Sequence, residues 1–231
     1  VPKEIKEESR KDVDKRPISI AFPLNETNNK PKNFFAWFET GENSGFTFLI
    51  HSDFLLTSNR ESIKSKQWNK WLLKELPKVI CNGLRKLSLD ETHQEKLYKM
   101  IPLESEEPIQ KDVIRGLSTI QIVLNEKGEL CLPSQCRFAD AWIRELFSFD
   151  TKPEIFNEFS MVKPSIEIYK KHLKRIGVKD FGIANFKKSL SDTSWLQKRK
   201  IDWFMKLYHS IKKHHSDRLA HSQDGLAMLK I

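Results

Sequence analysis

The hydrophobic residues change period once between residues 50 and 68, and that change limits the fold more than any other feature. Upstream, Ile18, Ile20 and Phe22 alternate with Ser19 and Ala21, and Phe46, Phe48 and Ile50 alternate with Thr47 and Leu49. A period of two puts one row of side chains on one face of a sheet. Phe34, Phe35, Trp37 and Phe38 supply a further strand, with turns expected over 25–33 and 41–44. Downstream, Trp68, Leu72, Leu76, Ile80 and Leu84 fall four apart, with Trp71, Val79 and Leu87 beside them. That spacing predicts a helix over 66–87 with one apolar stripe. Pro77 lies inside it and is expected to kink or divide it, because proline has no N–H and crowds the preceding turn. A half-buried sheet followed by a one-faced helix predicts an α+β fold, a small mixed sheet with packed helices.

The rest of the chain reads as mostly helical. A second helix is expected from Leu89 to Met100, then an acidic loop from Pro102 to Pro108. Over 109–133 a short helix precedes a hairpin: Ile120, Ile122 and Leu124 alternate, Glu126-Lys127-Gly128 turns, and Leu130 and Leu132 return. Ala139 to Phe149 reads as a helix. From Ser165 onward Ile166, Tyr169 and Leu173 mark one stripe. Trp195, Ile201, Phe204, Leu207, Tyr208 and Ile211 mark another, with Ser191, Asp192 or Thr193 as its cap. Asp224-Gly225 marks a closing hairpin. Pro153 and Pro164 flank a boundary over 150–163, so three parts are expected. Residues 1–16 are expected to form a mixed-charge linker, 17–150 an α+β domain, and 151–231 a mostly helical basic region ending in a hairpin. A chain that opens on Val1 reads as a piece of a longer polypeptide.

Charge separates these parts. The net charge is +9, but 161–218 holds 15 Lys and Arg against 5 Asp and Glu, leaving the remainder near neutral. No apolar run approaches the roughly 20 residues that span a bilayer, so no membrane partner is expected. Three cysteines, Cys81, Cys131 and Cys136, make no disulfide framework and fit a reducing interior, cytoplasmic or nuclear. Cys131 and Cys136 lack a second ligand pair at zinc spacing, so no metal site is expected. His209, His214 and His215 read as a solvated basic end, and His51 as a surface residue.

The junction of the two periods carries the main candidate site. The segment Asp53 to Ile63 leads through Phe54, Leu55 and Leu56 into a polar corner, Thr57, Ser58 and Asn59, and then Arg60. An arginine held by rigid structure on both sides can present its planar fork to a phosphate. Pairing with Glu61 or Asp53 is the other use of the same side chain. Lys64 is read as one turn further on, either within reach of phosphate or simply solvated.

This stretch resembles the start of the middle, or transducer, domain of GHKL-type ATPases. Asp53, Thr57, Ser58, Arg60, Glu61, Trp68 and Asn69 are similar to the sacsin-like version of the motif, with Asn59 set between Ser58 and Arg60. Three upstream segments follow the same pattern: Ile18 to Leu24, Phe34 to Thr40, and Gly45 to Ile50. The usual Leu-Pro-Thr reads Phe38-Glu39-Thr40 here. The match covers residues 17–87. It implies a transducer-like, ribosomal-S5-like fold for the α+β domain of residues 17–150, and an upstream domain of the same polypeptide that binds ATP and Mg. It also implies a relay of nucleotide state to the downstream helices, with client proteins as candidate partners. In that setting Arg60 would reach the γ-phosphate, Asn59 would shape the corner, and Glu61 would anchor Arg60 or start the helix at its positive end.

The chain itself has no nucleotide cradle. Glu39 and Asn43 are four apart, as a GHKL helix requires, but flank a glycine-containing turn, and Asp224-Gly225 lacks a second glycine. Walker A and dinucleotide fingerprints are absent. No cofactor and no catalysis are therefore expected of the chain alone. An alternative function rests on the basic region. Trp195 and Trp203 lie among Lys198, Arg199, Lys200 and Lys206, a mixture that single-stranded nucleic-acid binders use. Core packing of the same aromatics, with outward lysines touching phosphate or an acidic protein, is the competing reading, and a plain interaction scaffold is the third.

Overall fold

The computed structural model describes residues 1–5, 10, 13–24, 30–103, 107–147 and 158–219. It is α+β and falls into two compact units. One comprises residues 1–134 with 163–178, the other the described residues of 135–162 and 179–219. The chain therefore changes unit near residue 134, returns for 163–178 and leaves again, where the sequence suggested a single change-over at 150–163.

The first unit holds the mixed sheet. Strands β1 (Ser19–Ala21), β2 (Lys32–Ala36), β3 (Phe38–Phe46) and β4 (Leu49–His51) lie in the order β1-β4-β2-β3. β4 runs parallel to β2 and antiparallel to β1, and β2 and β3 form a hairpin. The turn expected over 41–44 is instead part of β3. The polar residues there stitch bulges rather than reverse the chain: Thr40 Oγ1 donates to Phe34 O (2.9 Å) and Ser44 Oγ to Lys32 O (2.7 Å). The reversal occurs at Trp37, which takes φ 69°.

Helix α1 (Gln67–Ser88) matches the expected stripe. Trp68, Leu72, Leu76, Ile80 and Leu84 are wholly buried. Pro77 does not divide α1, which runs on through it, with buried leucines and isoleucine anchoring the turns on both sides. The expected helix over 89–100 is a turn around Asp90 followed by a 3-10 segment, Lys96–Met100. There, Tyr98 Oη donates to Ile122 O (2.9 Å) and accepts from Leu124 N–H (3.0 Å). Helix α2 (Pro108–Leu117) begins on a proline, whose missing N–H would lack a helical partner anyway. Strands β5 (Val123–Leu124) and β6 (Leu130–Cys131) form the expected hairpin, with Gly128 at φ 81°. The returning segment adds a 3-10 turn, Pro164–Tyr169, and α4 (Lys170–Arg175). Lys163 Nζ fastens it to Glu95 Oε1 at 2.7 Å.

The second unit adds a small parallel sheet to a region expected to be mostly helical. β7 (Cys136–Phe138) lies between β8 (Ser160–Met161) and β9 (Lys179–Asp180) in a parallel sheet. Strands of two or three residues cannot display an alternation, so sequence period could not announce them. Helices α3 (Ala141–Phe147), α5 (Ile183–Leu190), α6 (Thr193–Leu196) and α7 (Ile201–Leu219) complete it. Asp192 caps α6 by accepting from Trp195 N–H at 3.0 Å. Residues 220–231, with the hairpin expected at Asp224-Gly225, lie outside the described residues.

Candidate functional site

The Arg60 corner is a closed loop, not the start of a helix. Leu56 and Ile63 form an antiparallel bridge, and Thr57 N–H donates to Ser62 O at 2.9 Å. Arg60 N–H closes back on Thr57 O at 2.9 Å. The Thr57 hydroxyl donates to Asn59 Oδ1 (2.6 Å) and accepts from Ser62 N–H (3.2 Å). Arg60 stands at the tip with φ 59°, a left-handed conformation unusual for a residue with a Cβ. Its guanidinium is exposed and bonds to no described residue, and neither does the Ser58 hydroxyl. The tip thus presents a planar cation to the outside on a backbone fixed from within.

Two neighbours hold the loop. On one side lies β3. Ile63 N–H donates to Glu42 Oε2 at 2.7 Å, and Gly41 is so close that a Cβ there would stand 3.0 Å from Glu61 O. On the other side lies the first turn of α1. Asn69, 1% exposed, accepts from Leu55 N–H (2.9 Å) and donates to Leu55 O (2.8 Å) and Lys64 O (2.7 Å). Trp68 Nε1 donates to Asp53 O at 2.8 Å. Trp68 and Asn69 are therefore a lock between helix and corner.

Asp53 serves a different partner from the one considered. Its carboxylate accepts from Arg10 Nε (2.9 Å) and Nη2 (2.7 Å), and Arg16 Nε lies 3.0 Å away. The Arg10 guanidinium also sits 5.1 Å from the Trp68 ring centroid. Residues 10 and 16, expected in a solvated linker, fold onto the first unit at this point. Sequence reasoning missed both arginines, since nothing in a mixed-charge run marks which cation a buried-edge carboxylate will select.

The other candidates fall as follows. Glu61 neither pairs with Arg60 nor begins the helix. It is exposed, accepts from Asn59 Nδ2 at 2.7 Å, and lies six residues before α1, whose first turn has no acidic residue. Lys64 is not one helical turn from Arg60, because the bridge intervenes. Its N–H donates to Leu55 O at 2.8 Å and its side chain is exposed. Glu39 and Asn43 both lie on β3, which excludes a catalytic helix made from them. Among the described residues no group of three His, Cys, Asp or Glu could hold a metal ion. Burial pushes the Cys81 thiol up to about 11, and Cys81 Sγ donates to Val113 O at 3.6 Å, so it packs rather than reacts.

The basic aromatic segment is a core, not a stacking platform. Trp195 and Trp203 are 4% and 6% exposed and meet edge to face at 5.2 Å. Trp203 Nε1 donates to Leu146 O at 2.8 Å, and Arg199 lies half-buried 4.6 Å over Trp195. Lys198, Lys200 and Lys206 are exposed.

No family model and no solved structure matches the chain. Among curated proteins, Protein NO VEIN of Arabidopsis thaliana is similar to it, 26% identical over 167 residues. That match covers 65% of this chain and 6% of the plant protein, so the chain spans only a small part of the relative's length.

Proposed function

We propose that this chain is a non-catalytic, transducer-like segment of a sacsin-like ATPase that offers Arg60 to the γ-phosphate of ATP held by another domain of the same polypeptide. One observation carries the reading: an exposed guanidinium that bonds to none of the described residues stands on a left-handed tip that β3 and α1 both hold. A fixed cation aimed at developing phosphate charge stabilises a transition state without first reorganising. Each charge-assisted hydrogen bond to phosphate contributes about 1.5–3 kcal/mol, which corresponds to roughly tenfold or more in rate. ATP and Mg would be held by the partner domain, and Arg60 would add only the closing contact. Asn69, Trp68 and Asp53 are positioning residues, since they act through the corner. Opening and closing of that contact would relay nucleotide state to the segments beyond.

The test is ATP turnover by the longer polypeptide that contains this chain, wild type against Arg60→Ala and Arg60→Lys, with ATP affinity measured alongside. Turnover should fall at least tenfold in Arg60→Ala with affinity and folding kept. Arg60→Lys should recover part of it at most, because an ammonium lacks the planar fork. Unchanged turnover would remove the reading.

A further inference from the structure

The second unit carries an apolar stripe that its own core does not use. On α7, Ile201, Met205 and Tyr208 are 74%, 54% and 53% exposed, although the sequence suggested that Ile201 and Tyr208 face inward. At 100° per residue the three fall within about 60° of arc. Buried Trp203 lies opposite the three, and buried Ile211 borders them on the Tyr208 side. The spacing i, i+4, i+7 is the one by which two helices meet along a seam.

Charge around the stripe is mainly positive. Between residues 198 and 213 there are six Lys and Arg and a single acidic residue, Asp202. Lys198 and Lys200 precede Ile201. Lys212 continues the stripe; along its open edge follow His209, Asp202 and Lys213, with Lys206 further round, all exposed. We infer that this face of α7 docks an acidic amphipathic helix of a partner protein. Its apolar side chains would lie along Ile201, Met205 and Tyr208, and its carboxylates against the flanking lysines. A single-stranded nucleic acid fits less well, because Trp195 and Trp203, the aromatics that would stack on bases, are buried. A membrane surface fits less well too. Three side chains make a narrow apolar face, and the broader one of α7 is turned into its own unit. This inference does not depend on Arg60.

The experiment is a selection of helical peptides from a randomised library on the 231-residue chain. It is counter-selected on the same chain carrying Ile201→Glu and Met205→Glu, and affinities are then measured by fluorescence anisotropy. Peptides rich in Asp and Glu, with apolar residues three or four apart, should be retained. They should bind the double variant at least tenfold more weakly, and weaken several-fold as ionic strength rises from about 0.05 M to about 0.3 M. Matching circular-dichroism melts show that the variant folds. Should it fail to fold, Tyr208→Lys takes its place. Basic or uncharged winners, equal binding to the variant, or no enrichment overturns the inference. So does binding of a nucleic-acid duplex or anionic vesicles that needs Ile201 and Met205 and that acidic peptides do not displace.

Discussion

Replacing Asn69 by alanine tests the lock beneath Arg60 directly. The amide makes three hydrogen bonds, to Leu55 N–H, Leu55 O and Lys64 O, at 2.9, 2.8 and 2.7 Å. The two carbonyls keep a second donor, since Lys64 N–H serves Leu55 O and Lys66 N–H serves Lys64 O, each at 2.8 Å. Leu55 N–H has no such reserve and would be left without a partner. An orphaned donor costs about 1–3 kcal/mol, and each lost but substituted bond about 0.5 kcal/mol, which gives about 2–4 kcal/mol for Asn69→Ala. At a slope of about 2 kcal/mol per molar urea, the midpoint should fall by about 1–2 M. Asn69→Asp sharpens the test, because it keeps the acceptor for Leu55 N–H yet sets a carboxylate against two carbonyl oxygens. At neutral pH it should cost at least as much as alanine, and it should recover as the carboxyl protonates in acid. Urea unfolding followed by tryptophan fluorescence reads both variants, and amide exchange over residues 55–64 shows whether the corner loosens. A cost below about 1 kcal/mol for Asn69→Ala, or an Asp variant as stable as wild type at pH 7, would refute the lock.

Two further predictions follow from single features. At the left-handed φ of Arg60, Arg60→Gly should be more stable than Arg60→Ala by up to about 1 kcal/mol, the reverse of the usual order at negative φ. Thermal melts of the two variants decide the sign. For Glu95, burial acts to raise its pKa, but the Lys163 ammonium and the Ser165 hydroxyl outweigh it and hold the carboxyl below its ordinary 4.5. A lowered folded pKa gives stability that is complete above about pH 4.5 and lost as pH falls through the lower folded value. The stability difference between wild type and Glu95→Gln should shrink over that acid window, as urea midpoints taken across pH would show, and a difference that grew there would contradict the linkage.

The period of two before residue 50 and the period of four after residue 67 were legible because each repeats over several residues on one buried face. They supplied a small sheet with one buried face, α1, and the corner between them. The β2–β3 reversal was misplaced for a physical reason: Gly41, Asn43 and Ser44 have turn chemistry, but their backbone and hydroxyl groups are used across a bulged ladder, while the bulky Trp37 makes the turn. Arg60 was legible as a candidate because it stood alone between two rigid elements. Its left-handed backbone and the absence of a bond to Glu61 or Asp53 were not.

What the amino-acid order determined by itself was local: which residues repeat on one face, where the chain must turn, and where positive charge collects. What only the tertiary structure decided was partnership. Arg10 and Arg16 reach Asp53 from about forty positions away, Asn69 reaches back to Leu55 and Lys64, and the short β7, β8 and β9 pair across long gaps in sequence. Ile201 and Tyr208 shared a predicted stripe with Phe204 and Leu207, yet packing buried one side of α7 and left the other exposed. A periodic pattern fixes which residues share a face of a helix. Which face finds a core depends on elements distant in sequence, and those are joined only when the chain has folded.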